Sequence, residues 1–130
     1  MVVDTSALIA FLKAEPEAGR ILSALVNAAR VYISAATLVE AAIVAERQNP
    51  TDGNRNLDLL LERVAAEVVP VTREHAELAR SAYSQFGKGR HPAGLNFGDC
   101  FSYALARALG EPLLFVGNDF SRTDVEVASY

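Results

Sequence analysis

The sequence predicts an α/β fold, with a central, mainly parallel sheet of four to five strands flanked by helices. Short apolar runs alternate along the chain with longer segments of helical periodicity, which is the pattern of strand–helix–strand units. The first run, Val2-Val3, has no polar alternation and is therefore typical of a strand covered on both faces. A chain of 130 residues has room for one hydrophobic core, so we expect a single domain over residues 1–130.

The first half of the chain predicts four helices. Helical apolar spacing begins directly after Asp4, and Glu15-Pro16-Glu17 opens the second helix because proline and acids favour helix starts. Ser34 caps the third helix, from about Ala35 to Arg47, and the fourth follows the polar loop 49–54. A strand is predicted before the third helix, at Val31–Ile33.

The second half repeats the alternation. Thr72 caps a fifth helix that reaches Phe86, and Asn96 starts a sixth that ends at Gly110. The basic, glycine-rich segment 87–95 lies between them. Further strands are predicted at three apolar runs: Val68–Val71, Leu113–Val116 and, as a fifth strand, Val125–Ala128.

Composition excludes several classes of protein. Apolar residues make up 51% and charged residues 22%, which is typical of a compact globular chain. The single cysteine, Cys100, excludes an internal disulfide and a cysteine-based zinc site. No run has the length of a membrane span and no signal peptide is recognisable, so we expect a cytoplasmic protein without a membrane partner. The net charge of −4 argues against a general electrostatic attraction to nucleic acid.

Four acids follow predicted strands or interrupt predicted helices, where a carboxylate is a candidate ligand. Asp4 follows the first strand, where ligands bind in α/β sheets, although it is also a good helix cap. Glu40 is the only charge in an apolar helical stretch that we expect to be buried, although a position exposed on a groove or a distant arginine partner also explains it. Asp99 falls in the first turn of the sixth helix, where it serves equally well as a capping residue. Asp119 follows the fourth strand, and Asp124 lies close enough to be an auxiliary ligand or a turn residue.

Four stretches in register give the chain a specific resemblance. They are VVDTSAL (2–8), TLVEAAIV (37–44), GLNFGDCFSYALA (94–106) and LLFVGNDFSRTDV (113–125). In order and spacing the sequence resembles the PIN domain family, and within it the VapC-type ribonuclease toxins of toxin–antitoxin pairs. The resemblance implies a PIN-like three-layer sandwich and places the family's catalytic and metal-binding acids on Asp4, Glu40, Asp99 and Asp119. Thr5, with Ser6 beside it, falls on the hydroxyl that supports that site.

The resemblance also implies an activity and partners. A site of carboxylates alone suits Mg²⁺ or Mn²⁺, which can activate water to hydrolyse a phosphodiester. The implied function is a metal-dependent endoribonuclease toxin with an RNA substrate, a cognate antitoxin and a homodimeric state. Lys88 and Arg90 are candidates for binding RNA phosphates, although an ordinary solvated loop explains them equally well. A non-catalytic PIN-fold module that binds RNA or protein is the alternative function, and Cys100 is expected in the core.

Overall fold

The computed structural model describes all residues, Met1–Tyr130, and contains one four-stranded sheet. The strands lie in the order β3-β2-β1-β4 and every pair is parallel. Val2 is aligned with Tyr32 on one side and with Leu113 on the other. The strands are β1 (Val2–Val3), β2 (Tyr32–Ser34), β3 (Glu67–Val69) and β4 (Leu113–Leu114).

Six α-helices surround this sheet, as the apolar periodicity predicts. They are α1 (Thr5–Leu12), α2 (Ala18–Asn27), α3 (Ala35–Gln48), α4 (Gly53–Arg63), α5 (Arg73–Phe86) and α6 (Phe97–Leu109). A short 3₁₀ helix, Phe120–Arg122, follows β4. Ser34, Thr72 and Asn96 each cap the predicted helix through a side-chain oxygen. No helix has the length and apolar character needed to cross a membrane.

The core is divided by the sheet into two clusters. Val3 and Leu114 belong to the cluster formed with α1, α2, α3 and α4. Val2 and Leu113 belong to the cluster formed with α5 and α6. Successive residues of β1 and β4 thus point to opposite faces, as strand geometry requires. The α/β, three-layer prediction is confirmed.

The strand order determines where a site can form. From β1 the chain moves outward to β2 and β3, and it then returns to β4 on the other side of β1. The order therefore reverses at β1, and ligands in open α/β sheets bind beyond the carboxyl ends of the strands at such a reversal. Asp4 is the residue that follows β1 at this point.

Strands β3 and β4 are shorter than predicted, β2 is shifted by one residue, and the fifth strand is absent as a regular strand. Pro70 cannot donate a ladder hydrogen bond, and β3 ends one residue before it at Val69. The segment predicted as a fifth strand forms only an isolated parallel bridge, between Val127 and Leu113. Two hydrogen bonds hold it to Leu113, from Leu113 N–H to Glu126 and from Ala128 N–H to Leu113.

The prediction that α3 is buried all round is wrong. Only Thr37, Ala41 and Ala45 are buried, and they form a single face. Val39 and Ile43 on the other face are 59% and 45% exposed. The helix packs against α1, α4 and α6 on one side, and no further element of the chain covers its opposite side.

Candidate active site

Asp4 is fixed beyond the end of β1 by three hydrogen bonds and is 3% exposed. Its Oδ2 accepts from the backbone N–H of Ser6 at 2.9 Å and from the Ser6 hydroxyl at 2.7 Å. Its Oδ1 accepts from the hydroxyl of Ser102 at 2.6 Å. Asp4 therefore does cap α1, and the same contacts fix a buried carboxylate that has no basic partner.

Hydroxyl groups link this carboxylate to three other elements. The Ser6 hydroxyl accepts from the N–H of Val116, which ties the segment after β4 to the start of α1. Thr37 on α3 lies 3.2 Å, oxygen to oxygen, from Ser102 on α6, and both residues are buried. Ser6 was predicted from the sequence, whereas Ser102 and Thr37 were not. The only sequence signal for them was a polar residue on an apolar helix face.

Glu40 projects from α3 towards the same place. The Thr5 hydroxyl donates to its Oε1 at 2.5 Å. On the other side it lies against Gly98 in the first turn of α6, where a Cβ atom would overlap the Glu40 carboxylate. Gly98 therefore leaves space for Glu40 to approach α6, a role that sequence analysis did not assign.

Asp99 forms a capping box with Asn96 at the start of α6. Its Oδ2 accepts from the Asn96 N–H at 3.0 Å, and its own N–H donates to the Asn96 side chain at 2.9 Å. Burial, together with the smaller effect of the negative charges of Asp4, Asp119 and Glu40, raises the pKa of Asp99 to about 7. The capping bond opposes this rise without cancelling it. Asp99 therefore both caps α6 and belongs to the acidic cluster.

The two late acids lie in different environments. Asp119 is exposed after β4, and its charge acts on Asp99. Asp124 is held away from that cluster, because it accepts from the Tyr103 hydroxyl at 2.5 Å and pairs with Arg107 at 3.4 Å. Burial and the bond to Asp124 raise the pKa of Tyr103 to about 12. The structure therefore brings Asp119 to the cluster and gives Asp124 other partners.

The donor set and charge of the cluster suit a hard cation such as Mg²⁺. The four acids are Asp4, Glu40, Asp99 and Asp119, and none of them takes part in the ion pairs of the chain. Their mutual repulsion, visible in the pKa of Asp99, is relieved by a positive ion. As the side chains lie, no three acidic, histidine or cysteine groups form a ready ligand set. Three of the acids face hydrogen-bond donors of the chain instead.

The remaining candidates are two cations of the basic loop and one buried thiol. Lys88 and Arg90 are exposed on the loop before α6, and the Arg90 guanidinium lies 5.8 Å from the centre of the Tyr83 ring. Cys100 is buried in the core, as expected. Burial, with the charge of Asp99, raises the pKa of the Cys100 thiol to about 11, so this thiol is a poor nucleophile at neutral pH.

Known proteins are similar to this chain in sequence and in fold. Ribonuclease VapC30 of Mycobacterium tuberculosis is 51% identical over 126 residues, which are 96% of this chain and 95% of that protein. The M. tuberculosis toxin VapC20, described as cleaving the sarcin-ricin loop, superposes with a TM-score of 0.74 at 21% identity over 98% of both chains. A toxin–antitoxin complex from Klebsiella pneumoniae also superposes with a TM-score of 0.74. The two chains are 19% identical, and the match covers 99% of this chain and 97% of that one. Residues 1–126 match the PIN domain family. The chain therefore belongs to the PIN domain family and, through relatives that share half of its sequence, to the VapC group within it.

Proposed function

We propose that this protein is a metal-dependent endoribonuclease, the toxin of a toxin–antitoxin pair. The observation that carries the proposal is the cluster of Asp4, Glu40, Asp99 and Asp119 around the strand-order reversal, with the charges of the other three acids acting on Asp99. The 51% identity to a VapC ribonuclease over nearly the whole chain supports RNA as the substrate.

Asp4 and Asp99 are the main ligands that would hold Mg²⁺ or Mn²⁺, with Glu40 and Asp119 completing the site. Such an ion, held by these residues, would supply a water molecule of lowered pKa and positive charge for the leaving oxygen. Asp4 contributes an orientation fixed before the substrate arrives, since three donors hold it. The capping bond of Asp99 uses its Oδ2, so its Oδ1 is the oxygen that could bind the ion.

Glu40 is suited to orient the attacking water. The bond from Thr5 fixes its Oε1, and its other oxygen, Oε2, lies against Gly98 at the start of α6, the helix that carries Asp99. A carboxylate held in this way can accept a hydrogen bond or a proton from water at the reacting phosphate. Ser6, Thr37 and Ser102 act through the acids they position rather than on the substrate.

Lys88 and Arg90 supply the positive charge that an acidic site needs in order to hold RNA. Both are exposed and take part in none of the ion pairs of the chain. They lie on the loop that leads into α6, the helix whose first turn carries Asp99. Contacts to phosphate from such side chains position a nucleic acid without selecting its sequence.

Two protein partners belong to the proposal. A structural neighbour solved as a toxin–antitoxin complex supports an antitoxin that binds this chain. A second copy of the chain is the other expected partner. The exposed apolar face of α3, with Val39 and Ile43, is available to a protein partner.

The test is cleavage of a labelled single-stranded RNA by the purified protein. Cleavage is expected with Mg²⁺ or Mn²⁺, and it should stop with EDTA and return when Mg²⁺ is added in excess. Asp99→Asn keeps the capping oxygen while removing the charge, so it should be inactive and well folded. The control is Asp58→Asn, at an exposed acid of α4, which should cleave normally. Activity that survives chelation excludes metal dependence, and binding without cleavage identifies a non-catalytic module.

A further inference from the structure

A groove with a volume of about 660 Å³ runs between α5 and α6, outside the carboxylate cluster. Aromatic side chains form much of its wall: Tyr83 from α5, and Phe97 and Phe101 from α6. Phe97 is 78% exposed, the highest value among the large apolar side chains of the chain. Its ring is supported edge-to-face by Phe101, with 4.9 Å between ring centres. An aromatic ring held in place but left open to solvent is a surface on which another planar group can stack.

The rim of this groove is basic. Arg80 and Lys88 line the groove, and the Arg90 guanidinium lies over the ring of Tyr83. Arg80 also pairs with Glu77, but this pair is exposed on both sides and contributes little. Cations beside an open aromatic wall, in a chain of net charge −4, match the alternating phosphates and bases of a single RNA strand.

The groove and the candidate active site share the start of α6. Asn96 and Phe97 line the groove, and Asp99 lies two residues further along. Asn96 also forms the capping box with Asp99, so the two regions share a fixed backbone. Phe97 and Asp99 both lie in the first turn of α6, so an RNA strand bound at the carboxylates meets the helix end that also carries Phe97.

We propose that the groove between α5 and α6 is a nucleobase-binding subsite, in which an unpaired RNA base stacks on Phe97 and the adjoining phosphates contact Arg80 and Lys88. The inference rests on the proposed ribonuclease function and extends it. It makes Phe97 a determinant of which strands bind, because a paired base cannot present its face to a side chain. Loss of one stacked base weakens binding roughly 5- to 150-fold.

Tryptophan fluorescence provides a direct test, because the chain contains no tryptophan. Phe97→Trp places a single reporter in the wall of the groove, and Val26→Trp places one at a remote exposed site on α2 that is 54% exposed. Both variants are titrated in EDTA with single-stranded RNA, the same RNA as a duplex, and an abasic strand. Only the single strand with bases should quench the Phe97→Trp signal, and no nucleic acid should quench the Val26→Trp signal. Equal quenching by the abasic strand or the duplex overturns the proposal.

Affinity measurements complete the test. Phe97→Ala should weaken binding of single-stranded RNA by the stated factor, whereas Phe97→Tyr should retain it. Light scattering should show the same molecular mass for Phe97→Ala as for the parent chain. A change in mass would identify the groove as an interface between copies and overturn the RNA subsite. Quenching without metal-dependent cleavage leaves the subsite in place and rejects the nuclease. Cleavage without quenching rejects the subsite alone.

Discussion

The hydroxyl of Ser102 lies 2.6 Å from Oδ1 of Asp4 and donates to it across 98 positions of sequence. The same hydroxyl contacts Thr37 at 3.2 Å, so α3, α6 and the end of β1 meet at one buried polar point. Both serine and threonine here are at most 1% exposed. A buried carboxylate is tolerated only with such donors, and this contact fixes the direction in which Asp4 presents its charge.

Ser102→Ala should therefore impair the site more than its small change in volume suggests. Asp4 Oδ1 loses its donor and Thr37 loses its partner, at a cost of about 1–3 kcal/mol in the free energy of unfolding. Loss of a group that orients a metal ligand reduces metal affinity or activity roughly 10- to 100-fold. Thermal melting, Mg²⁺ titration and RNA cleavage measure these effects. Ser23→Ala, at an exposed serine of α2, is the control, and normal Mg²⁺ affinity in Ser102→Ala would contradict the assigned role.

Gly98→Ala separates helix propensity from the geometry of the site. Alanine in a helix is favoured over glycine by about 1 kcal/mol, yet a Cβ at this position would overlap the Glu40 carboxylate. The flexible Glu40 side chain is expected to swing away from α6, so cleavage should fall sharply while the melting temperature changes little. Gly19→Ala is the matched control, since a Cβ there meets nothing within 4 Å; it should melt higher and cleave normally.

A second comparison tests the role of Glu40 in that result. In a Glu40→Ala background the overlap is absent, so Gly98→Ala should then raise stability as Gly19→Ala does. The difference between the two backgrounds is the interaction free energy of the pair. Equal effects of Gly98→Ala in both backgrounds would show that Gly98 makes no space for Glu40.

The helix caps could be predicted from the sequence, whereas the contacts between distant residues could not. Helix starts at Ser34, Thr72 and Asn96 follow from local rules, because a cap contacts backbone N–H groups only two or three residues away. The contact between Ser102 and Asp4 depends on how distant elements pack, and no local pattern encodes it. Gly98 reads in sequence only as an unfavourable helix residue.

The error at α3 has a related cause. Apolar residues around a helix predict burial, but which face is covered depends on the neighbouring elements. Val39 and Ile43 remain open because nothing in the chain packs there. Similarly, the apolar run 125–128 had the composition of a strand, but it makes only one bridge to Leu113. The fold class depends on repeated patterns and was predictable, whereas single faces and edge strands were not.

Asp119 and Asp124 should separate into a site residue and a structural residue. Asp119→Asn removes an exposed charge that acts on Asp99, so cleavage should fall and the metal-free protein should melt no lower. Asp124→Asn weakens the contacts to Tyr103 and Arg107, so it should melt lower and still cleave. The pKa of Tyr103, raised to about 12, should move back towards 10, as measured by absorbance titration. The reverse pattern of cleavage would make Asp124 the fourth acid.

The basic loop predicts a change in salt dependence. Replacing Lys88 and Arg90 by glutamine should weaken RNA binding and reduce the slope of log affinity against log salt by about 0.7 for each lost phosphate contact. The melting temperature should not change, since both side chains are exposed. Arg55 and Arg63 on α4 are also exposed, and the same double substitution there is the control. An unchanged slope would mean that the loop is simply solvated.

The acidic cluster should make the metal-free protein less stable as pH rises towards neutrality. The pKa of Asp99 is raised from 3.8 to about 7, so between these values the folded chain binds more protons than the unfolded chain. Stability then falls with increasing pH across this interval, because its slope follows the difference in bound protons. The destabilisation is complete above about pH 7, where Asp99 is ionised in both states.

Melting temperatures between about pH 5 and about pH 8 in EDTA measure this effect, and Asp99→Asn should lessen the fall because it no longer titrates. The proposed Mg²⁺ site requires the ionised carboxylate, so Mg²⁺ should raise the melting temperature of the parent chain at pH 8 more than at pH 5. Cleavage should rise over the same range for the same reason. If the parent and Asp99→Asn show the same fall with pH, burial among the other acids does not control the ionisation of Asp99. A stabilisation by Mg²⁺ that is equal at both pH values would place the ion elsewhere.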